Sequence, residues 1–356
     1  MQSYDDPSVY IVTVGTPIGD DKRIRLEPIQ SAAEILRSVL KNGDLVILRS
    51  TVGVGVTRDV VKPILDHACV EYKLAFAPER VVEGKAFEEL ASLPQIVAGT
   101  DAKSVASTRA FFKPVATEVV IVDQLEEAEM IKLINNSERD LMFAFANEIA
   151  LMCDAKGLNA HNVIDAAKYK YPRSSLKRPG PVGGPCLEKD PYILAEAFEN
   201  SDYQPVLLRA SRTANENLIP HCVARVAEAW GQKHFMPRIA ILGFAFKGVP
   251  ATSDMRDSPV HALLRELREH YPAAEIVGHD WLVDPVEIRD LGVVYAPTPE
   301  DAFRDSDIVF LQNNHPDYAT LDIATLSELL SNGAVIFDFW NHIACDDVAD
   351  HVTVMG

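Results

Sequence analysis

The amino-acid sequence predicts an α/β protein with two doubly wound, Rossmann-like domains joined by a central helical domain, the first of the two being incomplete. Short apolar runs alternate with helical stretches near both ends of the chain, which is typical of βα units and parallel sheets. The middle of the chain, from about 124 to 168, has helical periodicity alone. The chain enters the pattern of the first sheet late, so we expect only part of the first doubly wound domain.

The N-terminal segment is predicted to contain five strands. The apolar run from Val9 to Val14 ends at Gly15-Thr16-Pro17, which is typical of a buried strand followed by a turn. Helical patterns follow near 28–41 and from about 56. The remaining strands are expected at 45–49, 72–76, 95–98 and 118–122.

One long helix is predicted in the central segment, because apolar side chains recur there at steps of 7, 4, 4 and 3 residues and so share one face. These side chains are Ile134, Leu141, Phe145, Ile149 and Met152. A second helix is expected over 205–231. Between the two lies the Pro/Gly-rich stretch 178–186, whose glycines allow close backbone approaches that other residues resist.

The α/β pattern restarts after Met236-Pro237. Strands are predicted at 238–242, 275–278, 307–311 and 334–338, with helices near 258–269 and 322–331. This alternation predicts a second, small doubly wound domain. The predicted domain ranges are therefore 1–123, 124–233 and 234–356.

Charge and composition exclude several classes of protein. Lys and Arg number 34 against 52 Asp and Glu, a formal net charge of −18, so we expect no nucleic-acid binding, because phosphate neutralisation needs a basic surface. No apolar run approaches the roughly 18 residues that cross a bilayer, and the acidic N-terminus is unlike a secretory signal. We therefore expect a cytoplasmic protein without membrane insertion. The five cysteines, at 69, 153, 186, 222 and 345, lack C-x-x-C spacing and predict neither a disulfide framework nor a metal site.

The strongest chemical signal is the run Gly183-Gly184-Pro185-Cys186-Leu187-Glu188-Lys189-Asp190. A thiol that follows a glycine pair and precedes a cation and a carboxylate can be exposed and electropositive, which favours the nucleophilic thiolate. A free cysteine is more often buried and inert. The glycine frame and Lys189 favour a functional role for Cys186.

A polar stripe runs along the predicted long helix, where Glu129, Lys132, Asn136 and Arg139 are separated by 3, 4 and 3 residues. A solvated face with an ion pair is one interpretation. The helix is otherwise strongly apolar, so a lysine and an asparagine that face a cleft could instead bind an oxyanion or position a water.

Three further motifs follow predicted strands, where α/β domains bind ligands. They are Ser50-Thr51 before Gly53-Val54-Gly55, Pro78-Glu79-Arg80 before Glu83, and Gly243 to Lys247 before Asp254, Arg256 and Ser258. The second fits either a surface turn or the rim of an active site, and the third fits both a helix N-cap and a phosphate-binding helix start. No Gly-x-Gly-x-x-Gly with an acidic residue about 20 positions later follows the first strand, so the usual dinucleotide contacts are not visible.

Taken in order, these motifs make the sequence resemble the UDP-glucose/GDP-mannose dehydrogenase superfamily, whose members oxidise a nucleotide sugar to its uronate. The resembling segments are TVGTP (13–17), LRSTV (48–52), PERVVEG (78–84), AEMIKLINN (128–136), FANEIALMC (145–153), GPVGGPCLEKDP (180–191), 215–220, ILGFAFK (241–247), SDMRDSP (253–259) and HPDY (315–318). The resemblance implies an NAD-binding domain, a central helical dimerisation domain and a C-terminal domain that binds a UDP-sugar. It aligns the start of the chain with about the fourth strand of the family's first domain, and 338–341 lacks an arginine that several members carry.

The resemblance also implies roles for individual residues. The family's chemistry is two successive hydride transfers to NAD, through an aldehyde and a cysteine thioester, followed by hydrolysis. By resemblance, Cys186 is the nucleophile, Lys132 and Asn136 hold the oxyanion, Asp190 and Thr51 order a water, and Glu79 is the general base. NAD contacts are expected from Thr16, Thr51, Glu83, Lys189 and Arg256. Substrate contacts are expected from Arg80, Lys132, Asn136 and Lys247, and from Arg173 across a homodimer.

The substrate prediction depends on two local patterns. Arg80, with Asn136-Ser137 and Arg139-Asp140, resembles the members that act on UDP-N-acetylmannosamine or UDP-N-acetylglucosamine. Lys189-Asp190 resembles the UDP-glucose members instead. We predict a UDP-N-acetylhexosamine, with UDP-glucose as the alternative substrate. An alternative of a different class is a shortened dimer that binds a UDP-sugar through 124–356 without catalysis.

Overall fold

The computed structural model describes residues 6–231, 236–343 and 348–356. The strands in these ranges are β1 (Val9–Val12), β2 (Leu45–Leu48), β3 (Lys73–Phe76), β4 (Gln95–Gly99), β5 (Val119–Ile121), β6 (Arg238–Leu242), β7 (Glu275–His279), β8 (Val294–Tyr295), β9 (Ile308–Leu311), β10 (Val335–Asp338) and β11 (Thr353–Met355). The helices are α1 (Glu27–Val39), α2 (Lys62–Asp66), α3 (Ala86–Ser92), α4 (Ala102–Phe112), α5 (Leu125–Asp154), α6 (Ala160–Lys168), α7 (Asp190–Glu196), α8 (Val206–Trp230), α9 (Pro259–His270), α10 (Pro285–Asp290), α11 (Pro299–Phe303) and α12 (Ile323–Ser327). A π-helical turn, Thr57–Val61, leads into α2, and a 3₁₀ turn, Pro316–Thr320, follows β9.

The chain forms two compact units, which we describe separately. The first comprises 1–138 and 189–209. Its sheet has the order β1-β2-β3-β4-β5, so all five predicted strands are confirmed. The predicted parallel pairing is found throughout this sheet except at one place, where β4 pairs antiparallel with β3. The short α3 does not cross the sheet, so β4 starts beyond the carboxyl end of β3, and this brings Gln95 to the edge where α/β sheets bind ligands.

The second unit comprises 139–188 and 210–356. Its six-stranded parallel sheet has the order β8-β7-β6-β9-β10-β11, which is the doubly wound order with its switch point between β6 and β9. The predicted second doubly wound domain is therefore confirmed. The sequence pattern missed β8 and β11, since two or three residues at a sheet edge are too short to show a period.

Both faces of the second sheet are buried. Ile239 and Ile241 of β6 pack against apolar side chains of α8 and α9, whereas Ala240 and Leu242 pack in a separate cluster on the other face. Successive strand residues point to opposite faces, so a strand that is covered twice must be apolar throughout. This requirement explains the uninterrupted run IAIL after Arg238.

The long helix α5 carries both predicted stripes, and each stripe contains side chains in an environment that is unusual for their type. Ile134, Phe145 and Met152 are 42%, 50% and 54% exposed in the single chain. Glu129 and Asn136, in contrast, are buried. The interpretation of the polar stripe as a solvated face is therefore wrong for these two residues, because each is held by internal hydrogen bonds.

Two positions named in the sequence predictions, Cys345 and the domain boundary at 233–234, lie outside the described residues. Of the other cysteines, Cys153 and Cys222 are buried and Cys69 is exposed. Across 6–231, 236–343 and 348–356, none of the helices combines the length and apolar character that a bilayer crossing requires.

Candidate functional site

The predicted site residues divide between the two units. The first unit contains Thr16, Thr51, Glu79, Arg80, Glu83, Lys132, Asn136, Lys189 and Asp190. The second contains Arg173, Cys186, Lys247 and Arg256.

In the first unit, Glu79 lies just beyond β3 and both of its carboxylate oxygens accept hydrogen bonds. Oε2 accepts from the guanidinium of Arg49 at 2.5 Å, and Oε1 accepts from the backbone N–H groups of Arg80 and Val81 at 2.8 and 3.0 Å. Burial alone would raise the pKa of Glu79, but the charge and hydrogen bond of Arg49 and the two N–H groups outweigh burial and lower that pKa. The carboxyl group is therefore held in its ionised form.

Arg80 and Glu79 point to different partners although they are neighbours in sequence. The guanidinium of Arg80 donates to the carbonyl oxygen of Pro94, the residue before β4. Glu79 remains 42% exposed at its side chain. Of the two interpretations of this motif, a surface turn and an active-site rim, a partly open carboxylate held by a buried arginine favours the rim.

A second cluster in this unit joins α5 to α7. The Asn136 amide donates to Oδ2 of Asp190 at 2.6 Å, and the Lys189 ammonium donates to Oδ1 of Asp190 at 3.0 Å. Asp190 is fully buried. Lys132 lies one helical turn before Asn136 on α5, so the two side chains share a face of the helix.

Glu129, one turn earlier on α5, has a structural role. Its carboxylate accepts from the backbone N–H groups of Gly55 and Thr57 at 2.6 and 2.8 Å, at the start of the helical segment before α2. Burial raises the pKa of Glu129. The helix start that follows Ser50-Thr51 is thus satisfied from within the protein.

Thr16 and Thr51 bring the ends of β1 and β2 together, because the Thr16 hydroxyl donates to the carbonyl oxygen of Thr51. Gly15 is uncovered next to them: a Cβ built there would meet no atom within 4 Å. The backbone at this edge is therefore open to a ligand.

In the second unit, Cys186 lies in a turn that only glycine can build. Gly184 has φ +94°, and its N–H donates to the carbonyl oxygen of Asp257 at 2.7 Å. A Cβ at Gly184 would lie 2.5 Å from the Phe246 ring, and a Cβ at Gly183 would lie 2.6 Å from that same Asp257 oxygen. Real Cβ atoms do not approach so closely, so the glycine pair lets this turn pack against the loops around β6 and α9. Cys186 is half-buried.

Both ends of the Cys186 turn are held by buried polar side chains. At Gly180, the Asn147 amide donates to the backbone carbonyl and accepts from the backbone N–H, at 3.1 and 2.8 Å. At Leu187, the carbonyl oxygen accepts from Arg212 at 3.3 Å. Arg212 in turn pairs with Asp140 at 2.7 Å, with both side chains buried. The backbone on either side of Cys186 is thereby fixed to α5 and α8.

The three cationic site residues predicted in this unit contact side chains that are close to them in sequence. The Lys247 ammonium lies 5.1 Å from the centre of the Phe246 ring, just after β6 at the switch point. Arg256 is largely exposed, and its guanidinium donates hydrogen bonds to both carboxylate oxygens of Asp254. Ser258 caps α9 by accepting from the N–H of Val260, so the N-cap interpretation of this motif is confirmed. Arg173 is exposed and stacks on Tyr171 at 4.6 Å.

Sequence reasoning gave no role to Arg49, Asn147 or Arg212, and it used Asp140 only as part of a substrate pattern. One signal could have revealed Arg49, because it is a charged residue that directly follows the apolar run LVIL. The pair Asp140 and Arg212 is separated by 72 positions and shows no local pattern.

Comparisons with known proteins match most of the chain. Three domains of the UDP-glucose/GDP-mannose dehydrogenase family match: the NAD binding domain at 1–116, the central domain at 126–217 and the UDP binding domain at 240–344. The chain is 32% identical to the UDP-N-acetyl-D-mannosamine dehydrogenase of Pyrococcus horikoshii, over 82% of this chain and 72% of that protein.

Two further comparisons agree. The chain is 26% identical to the UDP-N-acetyl-D-glucosamine 6-dehydrogenase of Pseudomonas aeruginosa, over 98% of this chain and 83% of that protein. Its fold matches a solved structure of the UDP-D-ManNAc dehydrogenase from Pyrococcus horikoshii with a TM-score of 0.84 and 27% identity, over 98% of this chain and 80% of that one.

Proposed function

The chain belongs to the UDP-glucose/GDP-mannose dehydrogenase family of NAD-dependent nucleotide-sugar 6-dehydrogenases, and on that premise we propose that it oxidises a UDP-N-acetylhexosamine to the uronate through a thioester on Cys186. The observation that carries the proposal is the glycine turn around Cys186, which is held at both ends by buried side chains. Among the other cysteines that the structure describes, Cys153 and Cys222 are buried and Cys69 lies in the exposed turn after α2.

A thiol suits the proposed chemistry because hydride loss requires a tetrahedral carbon, and addition of a thiolate to the aldehyde supplies one. The Cys186 thiolate adds to the C6 aldehyde, hydride loss from the thiohemiacetal leaves a thioester, and water then cleaves the C–S bond to release the uronate. The chemistry that NAD would supply is hydride acceptance, with one NAD needed for the alcohol and a second NAD, bound after the first NADH has left, needed for the thiohemiacetal. Lys132 and Asn136, one turn apart on α5, would stabilise the oxyanions.

Residues at the carboxyl ends of β1 and β2 suit a cofactor. Thr16 and Thr51 lie there beside the uncovered Gly15, and such edges are where α/β sheets bind ligands. We propose that these threonines hold NAD together with Glu83, Lys189 and Arg256, which add one carboxylate and two cations. Asp190 with Thr51 would order the hydrolytic water, and Glu79 would take its proton.

The substrate class is supported by the relatives, whose names specify dehydrogenases of UDP-N-acetylmannosamine and UDP-N-acetylglucosamine. We propose Arg80 and Lys247 as substrate contacts, the latter because it follows β6 at the switch point of the UDP binding domain. UDP-glucose stays the second candidate, since Lys189-Asp190 resembles the members that use it.

A homodimer is proposed on the exposed face of α5. Ile134, Phe145 and Met152 expose apolar surface along one side of this helix, and a second copy would bury it. Arg173 would reach the partner's substrate site. The proposed division into 1–123, 124–233 and 234–356 is supported by the separate matches to three family domains.

The test is to incubate the purified protein with NAD and, separately, UDP-N-acetylmannosamine, UDP-N-acetylglucosamine and UDP-glucose. Two NADH per sugar and a uronate mass with an N-acetyl sugar are expected. The Cys186→Ala variant should lose turnover, whereas the matched Cys69→Ala variant should keep it.

Two outcomes would overturn the proposal. If two NADH per sugar form with UDP-glucose and none with the N-acetyl sugars, the substrate is UDP-glucose and the proposed substrate class is wrong. Retained binding of UDP-sugar by calorimetry without any NADH would favour the non-catalytic binding dimer.

A further inference from the structure

The contacts of Arg49 connect it with the hydrolysis of the thioester, the last step of the proposed reaction. We infer that Arg49 is a positioning residue for Glu79 during thioester hydrolysis, fixing the carboxylate in one orientation and in its ionised form. The inference rests on the proposed role of Glu79 as general base and deepens it.

The geometry differs from that of a surface ion pair. The Arg49 side chain is 6% exposed, whereas the Glu79 side chain is 42% exposed, so the pair is anchored on the arginine side and open on the carboxylate side. Two further groups hold the guanidinium: Nη1 donates to Oε1 of Gln95 at 3.2 Å, and the Phe112 ring centre lies 5.0 Å away. The guanidinium of Arg49 is therefore fixed in the interior, and the Glu79 carboxylate is oriented by contact with it.

The backbone completes the orientation. Oε1 of Glu79 accepts from the N–H groups of Arg80 and Val81, so both carboxylate oxygens have donors on the inner side. The Arg80 guanidinium donates to Pro94, leaving Arg49 as the charged side chain that directly contacts Glu79 among the described hydrogen bonds. Charge-assisted hydrogen bonds of this kind are short and strong.

Hydrolysis is the step that needs this arrangement. A water oxygen bonds to the thioester carbon while one water proton passes to Glu79, and the C–S bond then breaks with its electron pair leaving on Cys186. The thiolate finally takes up a proton, so that thioester plus water becomes carboxylic acid plus thiol. A protonated Glu79 cannot accept the water proton, so the step fails when that carboxyl group is neutral.

The prediction concerns the hydrolysis step separately from the hydride transfers. In Arg49→Gln, NADH formation in the first turnover should persist, while the thioester accumulates on the intact protein and is detected by mass. Hydrolysis should slow by about tenfold to a hundredfold, the value of a hydrogen bond to a charged group. The ratio of the wild-type rate to the variant rate should grow as pH falls, because loss of the cation makes Glu79 easier to protonate.

Three further variants keep the test decisive if Arg49→Gln folds poorly. Arg49→Lys retains a charge and should restore part of the rate at low pH. Gln95→Leu removes only the anchor of the guanidinium and should give a smaller loss of the same kind. Arg58→Gln breaks the exposed Arg58–Glu126 pair of the same unit and should leave hydrolysis unchanged.

Each failure has its own signature. A wild-type protein that forms no NADH with any of the three UDP-sugars refutes the proposed function itself. A wild-type protein that turns over, with Arg49 variants that keep its pH profile, refutes the positioning role alone. The positioning role is also refuted if Arg49→Lys slows hydrolysis by the same factor in a Glu79→Gln background as in the wild type. A residue that acts through Glu79 should have no further effect once that carboxylate is gone.

Discussion

Replacing Arg212 should destabilise the second unit strongly and loosen the turn that carries Cys186. The side chains of Arg212 and Asp140 are 2% and 0% exposed. Asp140 accepts from Arg212 at 2.7 Å, from Ser211 at 2.9 Å and from Asn215 at 2.7 Å. The Arg212→Met variant leaves the Asp140 carboxylate buried with two neutral donors and no cation.

The expected cost follows from that burial. Breaking a buried ion pair by removing one partner costs about 3–5 kcal/mol, because the remaining charge is uncompensated. Replacing both partners by apolar residues is often close to neutral. The double variant Asp140→Leu/Arg212→Met should therefore recover much of the free energy of unfolding that Arg212→Met loses, although Ser211 and Asn215 lose an acceptor.

Urea unfolding measures the free energy of unfolding, and the rate at which iodoacetamide alkylates Cys186 measures how accessible the thiol is in its turn. The double variant should be alkylated faster than the wild type despite its recovered stability, because Leu187 has lost its hydrogen bond. Arg225→Met is the matched control, since Arg225 pairs with Asp154 nearer the surface and its loss should cost about 1 kcal/mol or less. Equal costs for Arg212→Met and Arg225→Met would refute the reasoning, as would a double variant as unstable as the sum of its single variants.

Three other perturbations have defined outcomes. Gly184→Ala should lower the free energy of unfolding by at least about 2 kcal/mol, since it combines strain at φ +94° with a Cβ 2.5 Å from the Phe246 ring; calorimetry checks this, and Gly157→Ala, at φ +65° in open space, should lose less. His161 is buried, and burial followed by the charge of Arg178 lowers its pKa. Its stabilising contribution is present above the unfolded pKa, about 6.5, and is lost as pH falls towards the folded value, so His161→Gln should flatten the acid side of a Tm–pH curve; an unchanged slope would contradict this. Phe145→Asp should convert the proposed dimer to a monomer in sedimentation equilibrium, and a wild type that already sediments as a monomer would dismiss that interface.

Much of the fold could be predicted because most of its strands and helices have a local pattern typical of their type. A run such as IAIL in β6 is compatible with a strand covered on both faces, and the steps along α5 are compatible with a helix. The two-residue β8 and the antiparallel pairing of β4 could not be predicted, because the first has too few residues for a period and the second depends on where α3 returns the chain.

The candidate site divides in the same way. Cys186 and its glycines are adjacent in sequence, so their motif was visible. The partner of Glu79 is 30 positions away, at the end of β2, and the network that holds Leu187 comes from α5 and α8. Such contacts are set by which strand and helix ends meet, and a single sequence carries no local period for them.

Neighbours within a few residues specify the α/β class, the long helix, the motif order that identifies the family, and the cysteine in its glycine turn, so these features could be inferred from the amino-acid sequence alone. The partners of the charged groups, in contrast, are set by the folded structure. The folded structure lowers the pKa of Glu79 through Arg49, satisfies Glu129 with backbone N–H groups, and leaves the apolar face of α5 exposed. The physical reason is that desolvation and charge pairing depend on the atoms surrounding a group in space, and these come from distant parts of the chain.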